Sequence, residues 1–379
     1  MRICFFGTYT TAEGYPVNRV LIKGLRQAGA EVFECREELW GPFLYRSLAG
    51  RALRRLAGLL LRLPLCYLRL MWRYWRAPAH EWVVVGYAGY LDVHLARFLN
   101  LFRRRRVALV SFISLYDTAV LDRQQIRRGS PRAGLLWLVD RCAFGAAHRV
   151  LADTDAVCAH YAELFRLPRE RFARSYVGED GDQFRLAPAP AGERPLQVLF
   201  FGTYVPLHGV EFIVEAAALV SAASDMRFTL IGSGQLYPGL RAQVDQGGPG
   251  NVEFIDAWMG TAALVERIAA CDVCLGIFGT TAKAARVVPY KVFDALAVGR
   301  PVVTRDSPAA RELLTDGEHA MLCAPGSGQA LAEALRRLER DAALRLHLAE
   351  AGHNQYLRRG SPRAIGADLV HTLGGDCRG

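Results

Sequence analysis

The residues best suited to chemistry lie in one segment of the second half, GIFGTTAKAARVVPYKVFDALAVGRPVV, at residues 276–303. It carries Lys283, Arg286 and Lys291, and no acidic residue occurs between Asp272 and Asp294. The pattern predicts a strand end, a glycine-containing loop, a helix and a further strand. Fixed positive charge and free backbone N–H groups at a helix start bind anions. We therefore predict an anion site, with Asp294 placed to accept hydrogen bonds from hydroxyl groups such as those of a ribose; a solvated basic loop is the alternative.

The pentapeptide FFGTY occurs twice, at Phe5–Tyr9 and at Phe200–Tyr204. Each copy follows a short apolar run and precedes a loop with glycine and proline, and then apolar residues at helical spacing. Strand, glycine turn and helix form the opening unit of a doubly wound sheet, in which ligands bind beyond the carboxyl ends of the strands. The chain is therefore predicted to open the same kind of domain twice.

Length and composition fit two domains. The chain has 379 residues, more than one core usually supports, with 51% hydrophobic and 22% charged residues as in ordinary globular proteins. The stretch at 185–195 is rich in proline and alanine and is interpreted as the linker. We predict an α/β protein with a first domain over residues 1–185, a second over 186–355, and a C-terminal helix over about 356–379 that packs back on the first.

Short apolar runs that alternate with helical patterns predict parallel sheets with helices on both faces. The strands predicted in the first half are Ile3–Phe6, Val32–Glu34, Trp82–Gly86, Val107–Phe112 and Val150–Ala152. Those predicted in the second half are Val198–Phe201, Phe228–Ile231, Val252–Ile255, Val273–Ile277, Pro301–Thr304 and Ala320–Cys323.

Several of these motifs together resemble the GT-B glycosyltransferases of family 4, a retaining and metal-independent group. The likeness rests on PYKVFDALAVGRPVV at 289–303, and extends to FFGTYVPLHGVEFIVEAA at 200–217, LIGSGQ at 230–235, VEFIDAW at 252–258 and DSPAARELLTDGEHAMLCAPG at 306–326. The first half matches more loosely, through Gly7, the arginine-rich segment, VVVGYAGYLDV at 83–93, Ser114–Asp117 and Asp182–Phe184. The resemblance implies two Rossmann-like doubly wound domains that face each other across a cleft, with a nucleotide-sugar donor mostly on the second.

The resemblance also implies which residues bind the donor. Gly202 and Thr203 would let the backbone approach the diphosphate, Gly7 would face the transferred sugar, and Asp294 would hold the ribose. Gly232, Ser233 and Gly234 would lie near the nucleotide, and Ile255 and Trp258 would border the base. The other donor-binding residues on this reading are Tyr204, His208, Lys283 and Tyr290.

The sequence departs from the family pattern at two places. Family members commonly carry a pair of glutamates where this chain has Arg286 and Asp294, and the usual basic residue of the second FFGTY-type loop is replaced by Thr203, Tyr204 and His208. We therefore predict that Lys291 and Arg286 bind the diphosphate and supply the main catalytic device, fixed positive charge. Because of Arg286, a catalytically impaired GT-B nucleotide-sugar-binding protein is the alternative.

The resemblance implies a retaining reaction in which the departing diphosphate oxygen helps to deprotonate the acceptor. Family frequency favours UDP as the nucleotide and GDP second, and the acceptor is a glycan, a lipid-linked sugar or a small molecule. The pairs Asp153–Asp155 and Asp180–Asp182 resemble the metal-binding Asp-x-Asp of the other glycosyltransferase fold. The first is interpreted as a helix cap and the second as a turn, so no metal and no other cofactor is expected.

Two residues of the first half are candidates for the acceptor side of the reaction. Asp117 follows a strand and a turn of small residues, where it would orient an acceptor hydroxyl or the donor sugar. His94 follows the strand Trp82–Gly86 after a short glycine turn. Each has an alternative interpretation as a helix cap or a surface group.

Other classes fit less well. Neither glycine turn continues as the Gly-x-Gly-x-x-Gly of a dinucleotide-dependent oxidoreductase. The net charge of +10 admits nucleic acid, yet no zinc-finger, basic-zipper or RNA-binding signature occurs, so no nucleic-acid partner is predicted. The nine cysteines lie mostly in apolar runs, and Cys271 and Cys274 are interpreted as core residues despite their redox-motif spacing. With no signal peptide before the first strand, we expect a reducing cytoplasm.

The segment from Arg46 to Arg76 carries regularly spaced arginines among leucine, tryptophan and tyrosine. Arg62, Pro64 and Arg69 interrupt it too often for a transmembrane helix. In a helix, Arg51, Arg55, Arg62, Arg69, Arg73 and Arg76 fall within an arc of roughly 60°. This stripe, Arg51–Arg76, indicates either an interfacial helix on anionic lipid at the inner face of the plasma membrane, or a buried helix pair broken at Pro64 whose arginines reach solvent.

Overall fold

The computed structural model describes residues 1–12, 16–38, 52–101, 103, 105–191, 194–257 and 259–375, with the backbone alone for 52–61. The chain divides into two compact units. The first unit comprises Met1–Val120, Ile126–Tyr176 and Pro362–Gly379, and the second comprises Leu121–Gln125 and Val177–Ser361. The second unit thus begins before the boundary predicted at residue 185, and the return of the chain to the first unit begins at Pro362 rather than near residue 356.

The first unit is a six-stranded parallel sheet in the order β2-β1-β3-β4-β5-β6. Its strands are β1 Arg2–Gly7, β2 Glu31–Arg36, β3 Trp82–Val85, β4 Arg106–Val110, β5 Arg149–Ala152 and β6 Phe172–Arg174. Its helices are α1 Pro16–Gln27, α2 Ala52–Arg76, α3 Asp92–Leu99, α4 Pro131–Ala146, α5 Asp155–Phe165 and α13 Pro362–Gly375. The five strands predicted for this half are confirmed, and only the three-residue β6 was missed.

The second unit is also a six-stranded parallel sheet, in the order β12-β11-β10-β7-β8-β9. Its strands are β7 Gln197–Phe201, β8 Arg227–Ile231, β9 Val252–Ile255, β10 Val273–Leu275, β11 Val302–Arg305 and β12 Met321–Cys323. Its helices are α6 Val210–Ser221, α7 Tyr237–Asp245, α8 Thr261–Ala270, α9 Tyr290–Val298, α10 Pro308–Leu313, α11 Gly328–Arg340 and α12 Ala342–Gln355. All six predicted strands of this half are present, so the α/β fold class with parallel sheets is confirmed.

The two FFGTY copies occupy equivalent positions in the two sheets. In each sheet the first strand of the unit, β1 or β7, has a neighbouring strand on both sides. The chain builds the sheet outward from this strand first on one side and then on the other, which makes its carboxyl end a topological switch point. Gly7 is the last residue of β1 and has φ 131°, and Gly202 follows β7 with φ 140°. This backbone region disfavours side chains, which explains why both copies carry glycine at the turn.

Helix α13 returns to the first unit and packs along α1. The contact is close because both helices present glycine: a methyl group placed on Gly366 would lie 1.9 Å from the carbonyl oxygen of Gly24. The Trp82 indole N–H also donates to the carbonyl of Leu373 at 3.1 Å. The predicted C-terminal helix therefore completes the core of the first unit.

Helix α2 is one continuous helix with Pro64 inside it. The alternative of a helix pair broken at Pro64 is therefore wrong, because the helix continues past the one missing N–H group. Arg51 lies outside the described residues, as does the side chain of Arg55. Across the described helices, none has both the length and the apolar character that crossing a bilayer requires.

Candidate active site

The glycine turns after β7 and β8 lie against each other in the second unit. The Gly202 N–H donates to the carbonyl of Ile231 at 2.9 Å, and the Gly232 N–H donates to the carbonyl of Ile255 at 3.0 Å. A methyl group on Gly232, which has φ 130°, would lie 2.1 Å from the Gly202 carbonyl oxygen. The structure thus brings together Gly202, Gly232 and Ile255 at the carboxyl ends of three adjacent strands.

Tyr204 connects the glycine turn after β7 with the one after β8. Its backbone N–H donates to the carbonyl of Ser233 at 2.9 Å, and a methyl group on Gly234 would lie 2.6 Å from its carbonyl oxygen. Its side chain is fully buried, and the hydroxyl donates to the carbonyl of Leu230 at 2.9 Å. Tyr204 therefore holds the two turns together through its backbone, while its ring belongs to the hydrophobic core.

Lys291 lies in the first turn of α9, and its ammonium faces the Gly202 turn. The side chain is buried, and its Nζ has no hydrogen-bond partner among the described residues. Nζ lies 3.8 Å from the centre of the Phe200 ring, and a methyl group on Gly202 would lie 2.8 Å from it. Burial holds the pKa of Lys291 well below its usual value, and the nearby Asp294 carboxyl opposes this only in part. The site therefore holds an unpaired cation beside a bare glycine turn.

His208 borders the same space. Its Nδ1 contacts the carbonyl oxygen of Thr203, and its Cε1 lies 3.4 Å from a methyl group placed on Gly202. Loss of hydration holds the pKa of His208 well below its usual value, and the positive charges of Lys291 and Arg123 lower it further. Both the imidazole of His208 and the amine of Lys291 therefore bind their protons more weakly here than they would in water.

Asp294 lies one turn along α9 from Lys291. Its carboxyl is buried and hydrogen-bonds to the carboxyl of Glu179, while its Oδ1 has no partner in the described part of the chain. Burial, and then the Glu179 carboxyl, raise the pKa of Asp294 well above its usual value. The protonated form of Asp294 is therefore favoured relative to that of an exposed aspartate. Glu179 itself is held by the Asp180 N–H, which donates to its Oε1 at 2.7 Å.

The loop after β10 forms the other side of the switch point. The Phe278 N–H donates to the carbonyl of His208 at 2.9 Å, and the guanidinium of Arg305 donates to the carbonyl of Gly279. Lys283, which is buried, and the half-buried Arg286 lie in the turn that follows, joined by the Arg286 N–H to the Lys283 carbonyl at 2.9 Å. Tyr290 is the first residue of α9 and half-buried, and Trp258 lies outside the described residues.

In the first unit, Gly7 lies beside a buried carboxylate that sequence reasoning missed. Asp92, the first residue of α3, accepts hydrogen bonds from the Thr8 N–H at 2.6 Å, the Thr8 hydroxyl at 2.9 Å and the Tyr67 hydroxyl at 2.9 Å. A methyl group on Gly7 would lie 2.6 Å from its Oδ2. His94 lies two residues further on and is exposed. Of the acidic and basic groups in this turn, Asp92 is therefore the one that shapes the Gly7 loop.

Asp117 begins a π-helical turn, Asp117–Asp122, and is buried. Its Oδ1 lies 3.1 Å from Nε2 of His160, a neighbour that the sequence did not indicate. The preceding turn is held by Asp140, which accepts from the Ser114 hydroxyl at 2.7 Å and from the Leu115 and Tyr116 N–H groups at 3.1 and 2.8 Å. Burial raises the pKa of Asp140 to about 6. A π-helical turn is frequent at functional sites.

The Asp-x-Asp pairs lie where the sequence interpretation put them. Thr154 caps α5, and its hydroxyl accepts from the Val157 N–H at 3.0 Å, while Asp155 pairs with Arg169 and Arg174. The Asp182 N–H donates to Asp180 at 3.2 Å within a turn. Within the described ranges, no group of three or more histidine, cysteine or carboxylate side chains is arranged to hold a metal ion.

The whole chain is similar to solved structures of the GT-B fold. The crystal structure of Anabaena HepE in complex with UDP has a TM-score of 0.67 at 16% identity, and the match covers 99% of this chain and 100% of that one. The sucrose-phosphate synthase of Thermosynechococcus elongatus has a TM-score of 0.70 at 15% identity and covers 100% of this chain. The chain therefore has the GT-B fold, with two α/β units built on parallel sheets.

Sequence comparisons point to one class. Residues 195–341 match the family model of Glycosyl transferases group 1. Over 233 residues the chain is 28% identical to alpha-D-kanosaminyltransferase of Streptomyces kanamyceticus, which covers 56% of each chain. Over 260 residues it is 22% identical to the amylovoran biosynthesis glycosyltransferase AmsK of Erwinia amylovora, covering 68% of this chain and 60% of that protein. The chain thus spans somewhat over half the length of these curated relatives, and the matches support a glycosyltransferase enzyme.

Proposed function

We propose that the chain transfers a glycosyl group from a nucleoside-diphosphate sugar to an acceptor hydroxyl. The observation that carries this proposal is the buried Lys291 ammonium, which faces the Gly202 turn with no hydrogen-bond partner among the described residues. A cation at the carboxyl end of a strand, beside a glycine that leaves the backbone open, fits the diphosphate of a donor. The match of residues 195–341 to group 1 glycosyl transferases supports the same assignment.

The proposed chemistry depends on stabilising the leaving group. The bond between the sugar C1 and the terminal phosphate oxygen breaks, and the acceptor oxygen forms a bond to C1 from the same face, with retention. The acceptor proton passes to the departing diphosphate oxygen, so no protein nucleophile is required. Lys291 and Arg286 would offset the negative charge that develops on the departing diphosphate. Electrostatic stabilisation of this kind is usually the largest single contribution to catalysis.

Donor binding would change the protonation of Lys291. Because burial lowers the pKa of its ammonium, the free enzyme binds this proton weakly. A diphosphate in contact with Nζ favours the charged form and raises the pKa again. We therefore expect UDP binding to raise the proton affinity of Lys291.

Asp294 is proposed to hold the ribose. Its Oδ1 has no partner in the described part of the chain, so it is available to a hydroxyl donor. The raised pKa of Asp294 reduces the negative charge of its pair with Glu179, which limits repulsion of the incoming diphosphate. UDP is the first choice of nucleotide, in line with the UDP named for the HepE structure, and GDP is the second. Asp117 and His94 are proposed to serve the acceptor and the transferred sugar.

A donor panel tests the proposal. UDP-, GDP- and dTDP-sugars at 100 times their dissociation constants should each stabilise a binding protein by about 2.7 kcal/mol. Transfer or slow donor hydrolysis, measured by nucleotide release, would then identify an enzyme. Stabilisation without turnover on any acceptor or water would favour the impaired binding protein, and absence of both would overturn the assignment.

We also propose that the first unit binds a membrane surface from the cytoplasmic side. The outer face of α2 has an arginine edge and an apolar edge side by side. The arginines of α2 whose described side chains are exposed are Arg62, Arg69, Arg73 and Arg76. The apolar edge consists of Leu65, Leu68, Trp72 and Trp75, of which 51%, 58%, 58% and 73% is exposed. The Arg76 guanidinium lies 4.3 Å over the Trp72 ring, where the two edges meet.

Helix α3 extends the apolar edge. It runs alongside α2, since Tyr67 and Tyr74 donate to Asp92 and Asn100 at 2.9 and 2.6 Å. Leu91, Phe98 and Leu101, on and beside α3, are exposed by 53%, 62% and 56%. Exposed aromatic and aliphatic groups beside cations fit the boundary between headgroups and acyl chains of an anionic bilayer. A lipid-linked acceptor would be met at that surface.

A further inference from the structure

A short segment from the first half of the chain belongs to the second unit. Leu121–Gln125 is assigned to that unit, although the residues on both sides belong to the first. The Ile126 N–H donates to the carbonyl of Ala119 at 3.2 Å, which closes the segment into a tight loop. Gln124 has φ 52°, a left-handed conformation that non-glycine residues rarely adopt, and such residues cluster at functional sites.

Asp122 attaches this loop to the cationic turn of the predicted anion site. The carboxyl is buried, and its Oδ1 accepts from the Thr281 hydroxyl at 3.0 Å. The Thr281 oxygen in turn accepts from the Ala284 N–H at 3.2 Å, inside the turn that carries Lys283 and Arg286. The loop is therefore fixed on the segment that follows β10.

Arg123 follows this anchor and is exposed. The segment to which its loop is fixed also contacts the turn of His208, since the Phe278 N–H donates to the His208 carbonyl at 2.9 Å. The charge of Arg123 helps to lower the pKa of His208. His208 Cε1 and Lys291 Nζ lie 3.4 and 2.8 Å from one and the same point, a methyl group placed on Gly202. Arg123 thus contributes positive charge to the edge of the space that Lys291 and the Gly202 turn enclose.

We propose that Arg123 is a further ligand of the donor diphosphate and that Asp122 positions it, an inference that rests on the proposed function. The two cations differ in kind. Lys291 is a buried point charge, whereas an exposed guanidinium offers a planar pair of N–H donors that matches two phosphate oxygens. Arg123 would close over the diphosphate after it enters. Since its contact is with phosphate alone, the base of the nucleotide does not alter its contribution.

The test compares binding of UDP and uridine to the full chain by calorimetry. Arg123→Gln should weaken UDP binding about tenfold or more, on the scale of one charge-assisted contact, and leave any binding of uridine unchanged. Arg127→Gln, a matched change at an exposed arginine just beyond the loop, should leave both unchanged. The UDP affinity of Arg123→Gln should also depend less on salt than that of the wild type.

Positioning by Asp122 has its own readout. Asp122→Ala should weaken UDP binding about as much as Arg123→Gln, and the double variant should be no weaker, because both changes remove the same contact. Asp122→Asn keeps an acceptor for the Thr281 hydroxyl and should retain most of the affinity. Equal loss with Asn and Ala, or additive losses in the double variant, would overturn the positioning role.

The outcomes separate the two proposals. If the wild type binds neither UDP nor GDP, the proposed function fails. If the wild type binds UDP and Arg123→Gln binds it equally well, the function stands and the role of Arg123 is wrong. If Arg123→Gln loses uridine binding as well, the residue supports the nucleotide site as a whole, and a diphosphate contact is excluded.

Discussion

The Lys291 ammonium lies over the Phe200 ring, 3.8 Å from its centre, and both groups are buried. Such a contact contributes about 0.5–2 kcal/mol, whereas removing an ammonium from water costs several kcal/mol. The free site therefore disfavours the charged form of Lys291, and an incoming anion would stabilise that form. This imbalance makes stability and activity respond to Lys291 in opposite directions.

Replacing Lys291 with methionine tests that opposition. Lys291→Met keeps the volume and the ring contact and removes the buried charge, so the melting temperature should stay the same or rise. Turnover should fall by about 10²-fold or more, on the scale of one preorganised electrostatic group. Lys23→Met, a change of the same kind on α1, should retain turnover. Full turnover in Lys291→Met would remove this residue from the diphosphate site.

The glycine turn after β7 predicts a second contrast. In Gly202→Ala the new methyl group would lie 2.8 Å from Nζ of Lys291, on a backbone with φ 140°. We expect a loss of about 1–3 kcal/mol in stability from backbone strain, and UDP binding weakened well beyond what that strain explains. Gly239→Ala is the control, since this glycine lies in α7 with no atom within 4 Å of a new methyl group. It should bind UDP normally and gain about 0.5–1 kcal/mol. Equal UDP affinities in the two variants would contradict a donor at the turn.

Asp140 predicts a pH dependence of stability in the first unit. Its pKa of about 6 in the folded chain exceeds the ordinary 3.8, so the native state keeps the proton over a range where the unfolded state has lost it. Its contribution to stability is full below the unfolded value and is lost as the pH rises through 6. The free energy of unfolding of the wild type minus that of Asp140→Asn should be about 1 kcal/mol larger at pH 5 than at pH 7.5.

Denaturant titrations of both chains at the two pH values measure this difference. Asp368→Asn, at an exposed carboxylate of α13, should show no such change. A difference for Asp140→Asn that is constant with pH would mean that the carboxylate is already charged at pH 5.

Metal dependence tests the interpretation of the Asp-x-Asp pairs. Thr154 caps α5 between Asp153 and Asp155, and Asp155 forms ion pairs with Arg169 and Arg174, so the carboxylate of Asp155 is engaged in structural contacts. We expect turnover to survive EDTA and Asp155→Asn to leave it unchanged. Loss with chelator that manganese restores would instead show that a metal assists departure of the diphosphate.

Vesicle binding tests the face of α2 and α3. Each arginine near an anionic surface contributes roughly 1 kcal/mol. Changing Arg62, Arg69 and Arg76 to glutamate should therefore abolish co-sedimentation with phosphatidylserine vesicles at physiological salt. Changing Trp72 and Trp75 to alanine should weaken binding without altering its salt dependence. The exposed Arg127, Arg128 and Arg132, changed to glutamate together, serve as the control. A wild type that ignores such vesicles at low salt would leave this face to solvent and favour a soluble acceptor.

The elements that the sequence predicted well are those with a local signal. All eleven predicted strands are present, because buried parallel strands occur in the sequence as apolar runs with turn residues at both ends. The recurrence of FFGTY located both switch points, since a turn with φ above zero demands glycine. The predicted order of strand end, loop, helix and strand correctly placed Lys283 and Arg286 in one loop and Lys291 in the helix that follows.

The relationships that escaped prediction join residues far apart in the chain. Glu179 hydrogen-bonds to Asp294, and Asp122 accepts a hydrogen bond from Thr281. These residues are more than 100 positions apart in the sequence, so no periodic pattern predicts the contacts. In the first unit the sequence drew attention to His94, while the neighbouring Asp92 makes the buried contacts. Asp92 lies on the inward face of α3 because it accepts hydrogen bonds from Thr8 and Tyr67. Both partners are distant in the sequence, so local spacing does not specify these contacts.

Helix α13 sets the order in which this protein can fold as it is made. Its partner α1 leaves the ribosome early, but the glycine-to-glycine contact between the two helices cannot form until the whole second unit has been synthesised. At ordinary translation rates this delay is on the order of tens of seconds. Throughout it, the face of α1 that packs against α13 stays uncovered, while the second unit, which is synthesised before α13, is free to fold first. The nascent chain therefore exposes this face of α1 to chaperones until α13 is synthesised and covers it.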